Sequence, residues 1–373
     1  MPAKTNIDVK RANKSKIFHW VYRQKQSSRP ELVQALGLSF PTVLQCVNEL
    51  LETGLLCETG KLQSTGGRKA KGLAVNASRN VSIGLDIAQE YFSLAVIDLA
   101  GEATAHIRIP KPFSMTEDYQ SKLSLSLDAF LRKNQIDTGT VLGVGISVPG
   151  IVDHDGRCLL YSHALHLKDV FCDWFSTAVP FPCTLCNDAN AAGLAEVHAM
   201  GEVQNMLYLS LNDSIGGAVF LDGALYTGQN QRGGEFGHMC LERNGKTCYC
   251  GKKGCLDAYC SGHSLARDSG LQPDVFFREL RGKNPHAVGI WEDYADHLID
   301  AADNLRMSYD CDIVLGGDIG RELDAFLPDL QRWAAKRNIF TPDGSYLHSC
   351  KCREEASALG AALLYHKRFL DSL

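Results

Sequence analysis

The sequence predicts an α/β body preceded by a small, basic, helical head. Up to residue 79 apolar residues recur mostly at helical spacing, and from Asn80 strand-like apolar runs alternate with helical stretches. Charge divides at the same place: residues 1–80 carry 13 Lys/Arg against 5 Asp/Glu, and the remainder carries 25 against 38. A basic module on an acidic body points to nucleic acid at the N-terminal end.

A length of 373 residues fits two or three domains, and 45% hydrophobic content allows a sizeable core. No apolar run approaches the eighteen or so residues of a membrane span, and Met1–Lys25 is too polar and basic for a signal peptide, so a cytoplasmic chain is expected. Most of the 14 cysteines then read as buried small side chains rather than a disulfide scaffold.

In the head, residues 10–24 read as a helix with Ile17, Trp20 and Val21 on one face. Ser28-Arg29-Pro30-Glu31 is a capping-box pattern that opens a short helix ending at Leu36. Gly37 breaks it. Ser39 then caps a second helix with Pro41 in its first turn, and Val43, Val47, Leu50 and Leu51 form its apolar stripe. Helix, short Gly turn and helix make a helix-turn-helix. Phe40, Thr42, Gln45 and Cys46 are expected to face outward at the start of the second helix. Leu55–Cys57 and Gly72–Val75 read as strands flanking Ser64-Thr65-Gly66-Gly67-Arg68-Lys69-Ala70-Lys71, a basic tip suited to a wing that enters a minor groove or clamps phosphates. The expectation is a winged helix-turn-helix over residues 1–79. Ser39, Thr42, Gln45, Arg68, Lys69 and Lys71 are its candidate contacts to double-stranded DNA, read by a homodimer on two half-sites. A helical protein-interaction domain is the competing reading, which the charge balance and the basic tip disfavour.

In the body, Val81–Ile87 and Phe92–Leu99 read as a hairpin, Val141–Val148 as a strand ending in Pro149-Gly150, and Thr184–Cys186 as a strand ending in Asn187-Asp188. An Ala-rich helix over Asn190–Met200 follows; Asn187-Asp188 suits its N-cap. Met206–Leu211 and Gly217–Leu221 form a second hairpin. Asp312–Leu315 is a strand, and Glu354–Leu370 is a closing helix with small residues at Gly360-Ala361-Ala362.

Gly234-Glu235-Phe236-Gly237-His238 is followed by Cys248-Tyr249-Cys250-Gly251-Lys252-Lys253-Gly254-Cys255-Leu256-Asp257. One imidazole and three thiols at these short spacings can close a tetrahedron around Zn²⁺, with Cys240 and Cys260 near enough to compete. Carboxylates, Glu235 and Asp257, flank the cluster.

Four motifs in order, Gly145-Ile146-Ser147-Val148-Pro149-Gly150, Asn187-Asp188-Ala189-Asn190, Gly234-Glu235-Phe236-Gly237-His238 and Cys248-Tyr249-Cys250-Gly251 through Gly254-Cys255, together resemble the ROK family of sugar kinases and sugar-responsive repressors. The head is similar to that of the repressor branch. The resemblance implies an actin/hexokinase-like body of two α/β lobes. Residues 80–190 plus 353–373 would make the small lobe, and residues 191–352 a larger lobe with the zinc site. It implies His238, Cys248, Cys250 and Cys255 as ligands of a structural Zn²⁺. It implies Asn187, Asp188, Glu235 and His238 as contacts to sugar hydroxyls, His238 serving both roles. Asp257 stands where the family has Glu, a carboxylate one methylene shorter. Ala164 aligns where kinases place a sugar-contacting Asn, with His163 or His166 as substitutes.

Asp188 matches the position of the family's general base. Kinase members carry Asp-Ile-Gly-Gly-Thr and Gly-Thr-Gly phosphate turns. Here these read Asp86-Ile87-Ala88-Gln89-Glu90 and Asn212-Asp213-Ser214, with glycines lost and carboxylates added. The expectation is a sugar-responsive, DNA-binding regulator, a repressor and not an enzyme, whose Asp188 is a degenerate kinase base. An ATP-dependent sugar kinase with a DNA-binding arm is the alternative. A third reading is a regulator that answers to a protein partner.

Overall fold

The computed structural model describes residues 6–61, 71–201, 203–340, 342–353 and 355–373. Three helices open the chain: α1 (Asn6–Gln24), α2 (Arg29–Leu36) and α3 (Phe40–Glu52). The Ser28–Glu31 capping box forms as expected, and Ser39 accepts the backbone N–H of Thr42 to cap α3. β1 (Ser27–Ser28), β2 (Leu56–Lys61) and β3 (Lys71–Val75) make a small antiparallel sheet in the order β1-β3-β2. The wing tip with Arg68 and Lys69 lies outside the described residues. Cys46 does not face outward: with Val43, Val47 and Leu50 it completes the buried stripe of α3. The exposed residues of this segment include Phe40, Leu44 and Gln45.

The body rests on two five-stranded sheets of the same construction. β4 (Val81–Ile87), β5 (Tyr91–Asp98) and β6 (Ala103–Pro110) form an antiparallel meander. After α4 (Glu117–Lys133), β7 (Val141–Val148) joins β4 in parallel. A small three-stranded extension follows, made of β8 (Ile151–Val152), β9 (Cys158–Ser162) and β10 (Leu167–Phe171). Then come α5 (Cys172–Ser176) and β11 (Cys183–Asn187), which completes the order β11-β7-β4-β5-β6.

Helix α6 (Asp188–Met200) crosses to the second sheet. There β12 (Met206–Leu211), β13 (Ile215–Leu221) and β14 (Ala224–Leu225) repeat the meander. Four helices lie between β14 and the next strand: α7 (Asp257–Cys260), α8 (Gly262–Ser269), α9 (Pro273–Arg281) and α10 (Pro285–Tyr309). β15 (Asp312–Gly316) adds in parallel to β12. After α11 (Gly317–Gly320) and α12 (Leu327–Arg337), β16 (Leu347–Ser349) gives the order β14-β13-β12-β15-β16. The chain closes with α13 (Ala356–Ser372).

Each sheet is covered on both faces, which is why its central strands are continuously apolar. Tyr119, Leu123, Leu127 and Phe130 of α4 pack on the outer face of the first sheet, and Tyr294, Leu298, Ile299 and Leu305 of α10 on that of the second. Between the sheets α6 and α13 lie against each other. That contact depends on an absent side chain, since a Cβ on Gly360 would stand 1.6 Å from the Ala191 carbonyl oxygen, and the seat of α13 on β4 depends on another, since a Cβ on Gly84 would stand 1.7 Å from that of Ala358. The expected 190/191 division therefore falls inside a helix, α6, whose residues touch the helix of one sheet and the strands of the other. Among the described residues, no helix is long and apolar enough to cross a membrane.

The head is not a separate bead. Ile17, Phe18, Val21, Leu32 and Val47 share one apolar cluster with Leu99 and Leu370 of the body. At its edge Tyr22 Oη lies 3.0 Å from His366 Nε2, and Lys25 pairs with Glu102 at 2.6 Å. Burial holds His366 down at about 4, so its ring is neutral near pH 7.

Candidate functional site: a carboxylate-lined cleft beside a Cys/His knot

In an open α/β sheet, ligands gather beyond the carboxyl ends of the parallel strands. Here β4, β7 and β11 run in parallel and end in Asp86-Ile87, Val148 and Asn187. Because Asp86 and Ser147 are partners in register, Ser147 Oγ donates to Asp86 Oδ1 at 2.8 Å. Burial pushes the Asp86 carboxyl up to about 7; the Ser147 hydrogen bond opposes this and the Asp188 charge adds to it.

Asn187 and Asp188 occupy the β11-to-α6 junction. Asn187 is the N-cap: its Oδ1 accepts the Asn190 N–H at 2.9 Å, and its Nδ2 donates to the Gly150 carbonyl and to Asp188 Oδ1, both at 3.0 Å. Capping thus occupies the Asn187 amide, while Asp188 keeps acceptor capacity. Burial raises Asp188 to about 6, and the nearby Glu235 charge adds to that. Glu235 itself is raised by burial, partly offset by Arg232.

Asp257 is 4% exposed, and its Oδ2 accepts the Ile215 N–H at 2.7 Å. The shorter carboxylate is therefore tied to the backbone of β13 through one oxygen. His238 sits in a single 3₁₀ turn, Phe236–His238, beside it.

The donor atoms of His238, Cys248, Cys250 and Cys255 all lie within 4.8 Å of one another, close enough to hold a metal ion. Backbone bridges Cys240↔Cys255 and Thr247↔Lys253 fold the segment into a knot. Gly254 permits it: at φ 77° a Cβ would fall 1.7 Å from the Glu242 carbonyl oxygen. Cys240 and Cys260 are outside the set. Their sulfurs donate to the Lys253 carbonyl at 3.7 Å and the Tyr294 carbonyl at 3.4 Å.

Two aromatic contributions were not read from the sequence. The Tyr249 ring stacks on His163 at 4.4 Å, and Tyr249 Oη lies 3.4 Å from His238 Nε2. His163, offered as a substitute for the missing Asn, thus reaches the knot from the β9–β10 turn; His166 sits 6.0 Å from His163, ring to ring. Only Tyr249's place between two knot cysteines hinted at this.

The two turns opposite are already engaged by the protein itself. The Ala88 N–H donates to the Tyr91 carbonyl at 2.9 Å, and the Gln89 carbonyl accepts from Phe113 N–H at 2.8 Å. Asn212 Oδ1 accepts the Asp318 N–H at 2.7 Å, and the Asn212 carbonyl accepts from Gly262 N–H at 2.7 Å. Arg108 on β6 stacks over Tyr91, donates to Glu355 at 2.8 Å and comes within 3.7 Å of Asp318.

The ROK family pattern matches residues 82–368. The chain belongs to the ROK family. It is 29% identical over 269 residues to the xylose repressor of Bacillus spizizenii (strain ATCC 23059 / NRRL B-14472 / W23), a match covering 69% of this chain and 68% of that protein. The crystal structure of a ROK family transcriptional regulator, a homologue of the E. coli MLC protein, superposes with a TM-score of 0.76 at 22% identity and covers 98% of both chains. A ROK family glucokinase from Streptomyces griseus, in complex with glucose and AMPPNP, gives 0.65 at 22% identity, covering 76% of this chain and 99% of that one. At such identities the two structures speak for the fold, and the actin/hexokinase-like body expected from the motifs is the observed one.

Proposed function

We propose that this ROK protein is a sugar-responsive transcriptional regulator, a repressor. Its head binds operator DNA as a homodimer, and its cleft binds a sugar or sugar derivative through Asn187, Asp188, Glu235, His238 and Asp257. The carrying observation is helix α6. Asp188 stands on its first turn, and near its far end His198 Nε2 lies 2.7 Å from the Gly101 carbonyl, in the turn that packs on Tyr22 of the head. About 15 Å of rigid helix separates the two ends. A sugar that favours one position of α6 would bias the seat of the head, and by linkage the operator would bias sugar affinity equally. The xylose repressor named above supports the reading.

In the head, Ser39, Thr42 and Gln45 are the proposed base and phosphate contacts on α3, with Arg68, Lys69 and Lys71 on the wing. Ser39 and Thr42 hydroxyls lie 2.8 Å apart, Gln45 bonds Glu49 at 3.3 Å, and Lys71 pairs with Glu58 at 2.5 Å. DNA would have to exchange these solvent-exposed partners for its own.

The knot suits Zn²⁺. The Cys250 and Cys255 sulfurs stand 3.8 Å apart, which is roughly the tetrahedral edge for Zn–S bonds of about 2.3 Å. His238, Cys248, Cys250 and Cys255 would hold the ion, which supplies a structural crosslink. Tyr249 and His238 are thereby presented to the cleft.

Phosphoryl transfer is disfavoured, because it needs free amides to cradle the nucleotide. The Ala88 amide already donates within its own turn, the Asn212 amide donates to the Ser214 carbonyl at 3.3 Å in the second, and the Arg108 guanidinium is held by Glu355 and Asp318.

The test is a melting-temperature screen against pentoses, hexoses, N-acetylated sugars and their phosphates, followed by operator titration with and without each hit. A stabilising sugar that changes operator affinity supports the reading. Equal operator affinity with every stabilising sugar defeats it. Sugar-dependent ADP release from Mg-ATP would favour the kinase instead.

A further inference from the structure

Away from the cleft, two thiols meet. Cys172 opens α5 and Cys183 opens β11, and their sulfurs are 3.5 Å apart. The backbone of both residues is anchored. The Cys172 N–H donates to the Arg157 carbonyl at 2.7 Å, and Cys183 is in register with Val144 of β7, where the Val144 N–H donates to the Pro182 carbonyl at 2.8 Å. A disulfide needs about 2.05 Å between sulfurs, so the thiols would have to close by roughly 1.5 Å, a movement within reach of side-chain torsion. The close approach of Cys250 and Cys255, by contrast, belongs to the knot.

The pair is also reachable. Both cysteines line a surface cavity of about 970 Å³ together with Arg157, Asp173, Thr184 and Arg368. A tripeptide-sized reagent fits such a volume. One thiol hydrogen bond joins the two sulfurs, and either can donate; with Cys172 as the donor, Cys183 is held below the ordinary cysteine range and Cys172 is pushed up. A thiolate beside a resolving thiol is the arrangement that exchange chemistry requires.

We propose that Cys172 and Cys183 are a reversible disulfide-forming pair, a modification site for small oxidising disulfides of the glutathione type. The Cys183 thiolate attacks one sulfur of the small disulfide; that S–S bond breaks and one small thiolate leaves, giving a mixed disulfide on Cys183. Cys172 then loses its proton to solvent, and its sulfur attacks Cys183 Sγ, expelling the second small thiolate. The two protein thiols are oxidised by two electrons, and the small disulfide is reduced to two thiols that take up the two protons. The bridge would close the segment from α5 to β11 at the base of the strand that ends in Asn187, just before Asp188.

The experiment treats the full chain with glutathione disulfide in mildly alkaline buffer. Acid quenching, N-ethylmaleimide alkylation, digestion without reductant and mass spectrometry follow. The expected product is a peptide containing both residues, two hydrogens lighter than the dithiol form, with both maleimide adducts lost and with dithiothreitol restoring them. In Cys172→Ser the exchange stops halfway and Cys183 retains glutathione. Recovery of maleimide on both residues, or a glutathione adduct that persists on Cys183 in the unsubstituted chain, overturns the proposal. Neither readout depends on whether the cleft binds a sugar.

Discussion

Replacing Asp86 with Asn removes a carboxyl that the fold holds far from its ordinary range. Asp86 is 7% exposed, and burial carries it from 3.8 to about 7 despite the hydrogen bond from Ser147. In the unfolded chain the proton leaves near 3.8; in the folded chain it leaves near 7. Between those values the folded state binds more protons, so stability is greatest at low pH, falls as pH rises through the window and levels off above it. From pH 5 to a pH well above 7 the loss is about two units at about 1.4 kcal/mol each, or ~3 kcal/mol. Asp86→Asn keeps the shape and cannot ionise, so it escapes this loss. Urea unfolding of both chains, followed by circular dichroism at pH 5 and above pH 7, should show the substitution becoming more favourable by about 3 kcal/mol at the higher pH. Groups that do not interact with Asp86, His366 among them, cancel in the comparison. A difference that stays constant within about 0.5 kcal/mol would mean that Asp86 is ionised throughout, and the reasoning from burial would be wrong.

Asp188→Ala should abolish the melting-temperature rise given by the effector sugar while leaving operator affinity in the absence of sugar unchanged, as read by fluorescence anisotropy. Cys248→Ser should lower bound zinc well below one equivalent by elemental analysis and loosen a loop whose ordering the ion would stabilise by on the order of 10 kcal/mol. Gly101→Ala should weaken the head–body joint, because Gly101 has φ 83° and an added Cβ would stand 2.4 Å from Tyr22 Oη and 2.9 Å from His198 Cε1. Left-handed backbone costs about 1–2 kcal/mol and overpacking about 1–3 more; calorimetry should resolve an earlier transition, and an unchanged trace would refute the close approach. Arg68→Ala should weaken operator binding and reduce its salt slope by about one while sparing the sugar response; unchanged affinity at moderate salt would remove Arg68 from the interface.

Local chemistry made much of this architecture readable. The Ser28 capping box, the Ser39 cap and Gly37 delimit helices by satisfying or ending their own backbone, with no help from distant residues. The knot was equally legible, since four ligand-type side chains within eighteen positions scarcely need a fold to meet. Readings failed where a distant neighbour decides. Cys46 was placed outward by its position at the start of α3, yet it lies beside Val43 and Val47 against α1, whose packing the periodicity of α3 alone does not describe. β6 alternates exposed and half-buried residues as an edge strand and gave too weak an apolar signal to be seen. Tyr249 and His163 are 86 positions apart and meet only because the knot folds toward the β9–β10 turn. The Asp86 carboxyl was visible as part of a turn, but its proton affinity depends on Ser147 and Asp188, neither of them near in sequence.

The joint between Tyr22 and His366 has a practical consequence. It is made of apolar packing and a contact between two uncharged rings, with the exposed Lys25–Glu102 pair as its ionic fringe. Electrolyte screens exposed charges and leaves neutral, buried contacts nearly untouched. Raising the ionic strength should therefore peel the protein from a nucleic-acid column without unseating its reading module, so a salt series on this chain would count phosphates and little else.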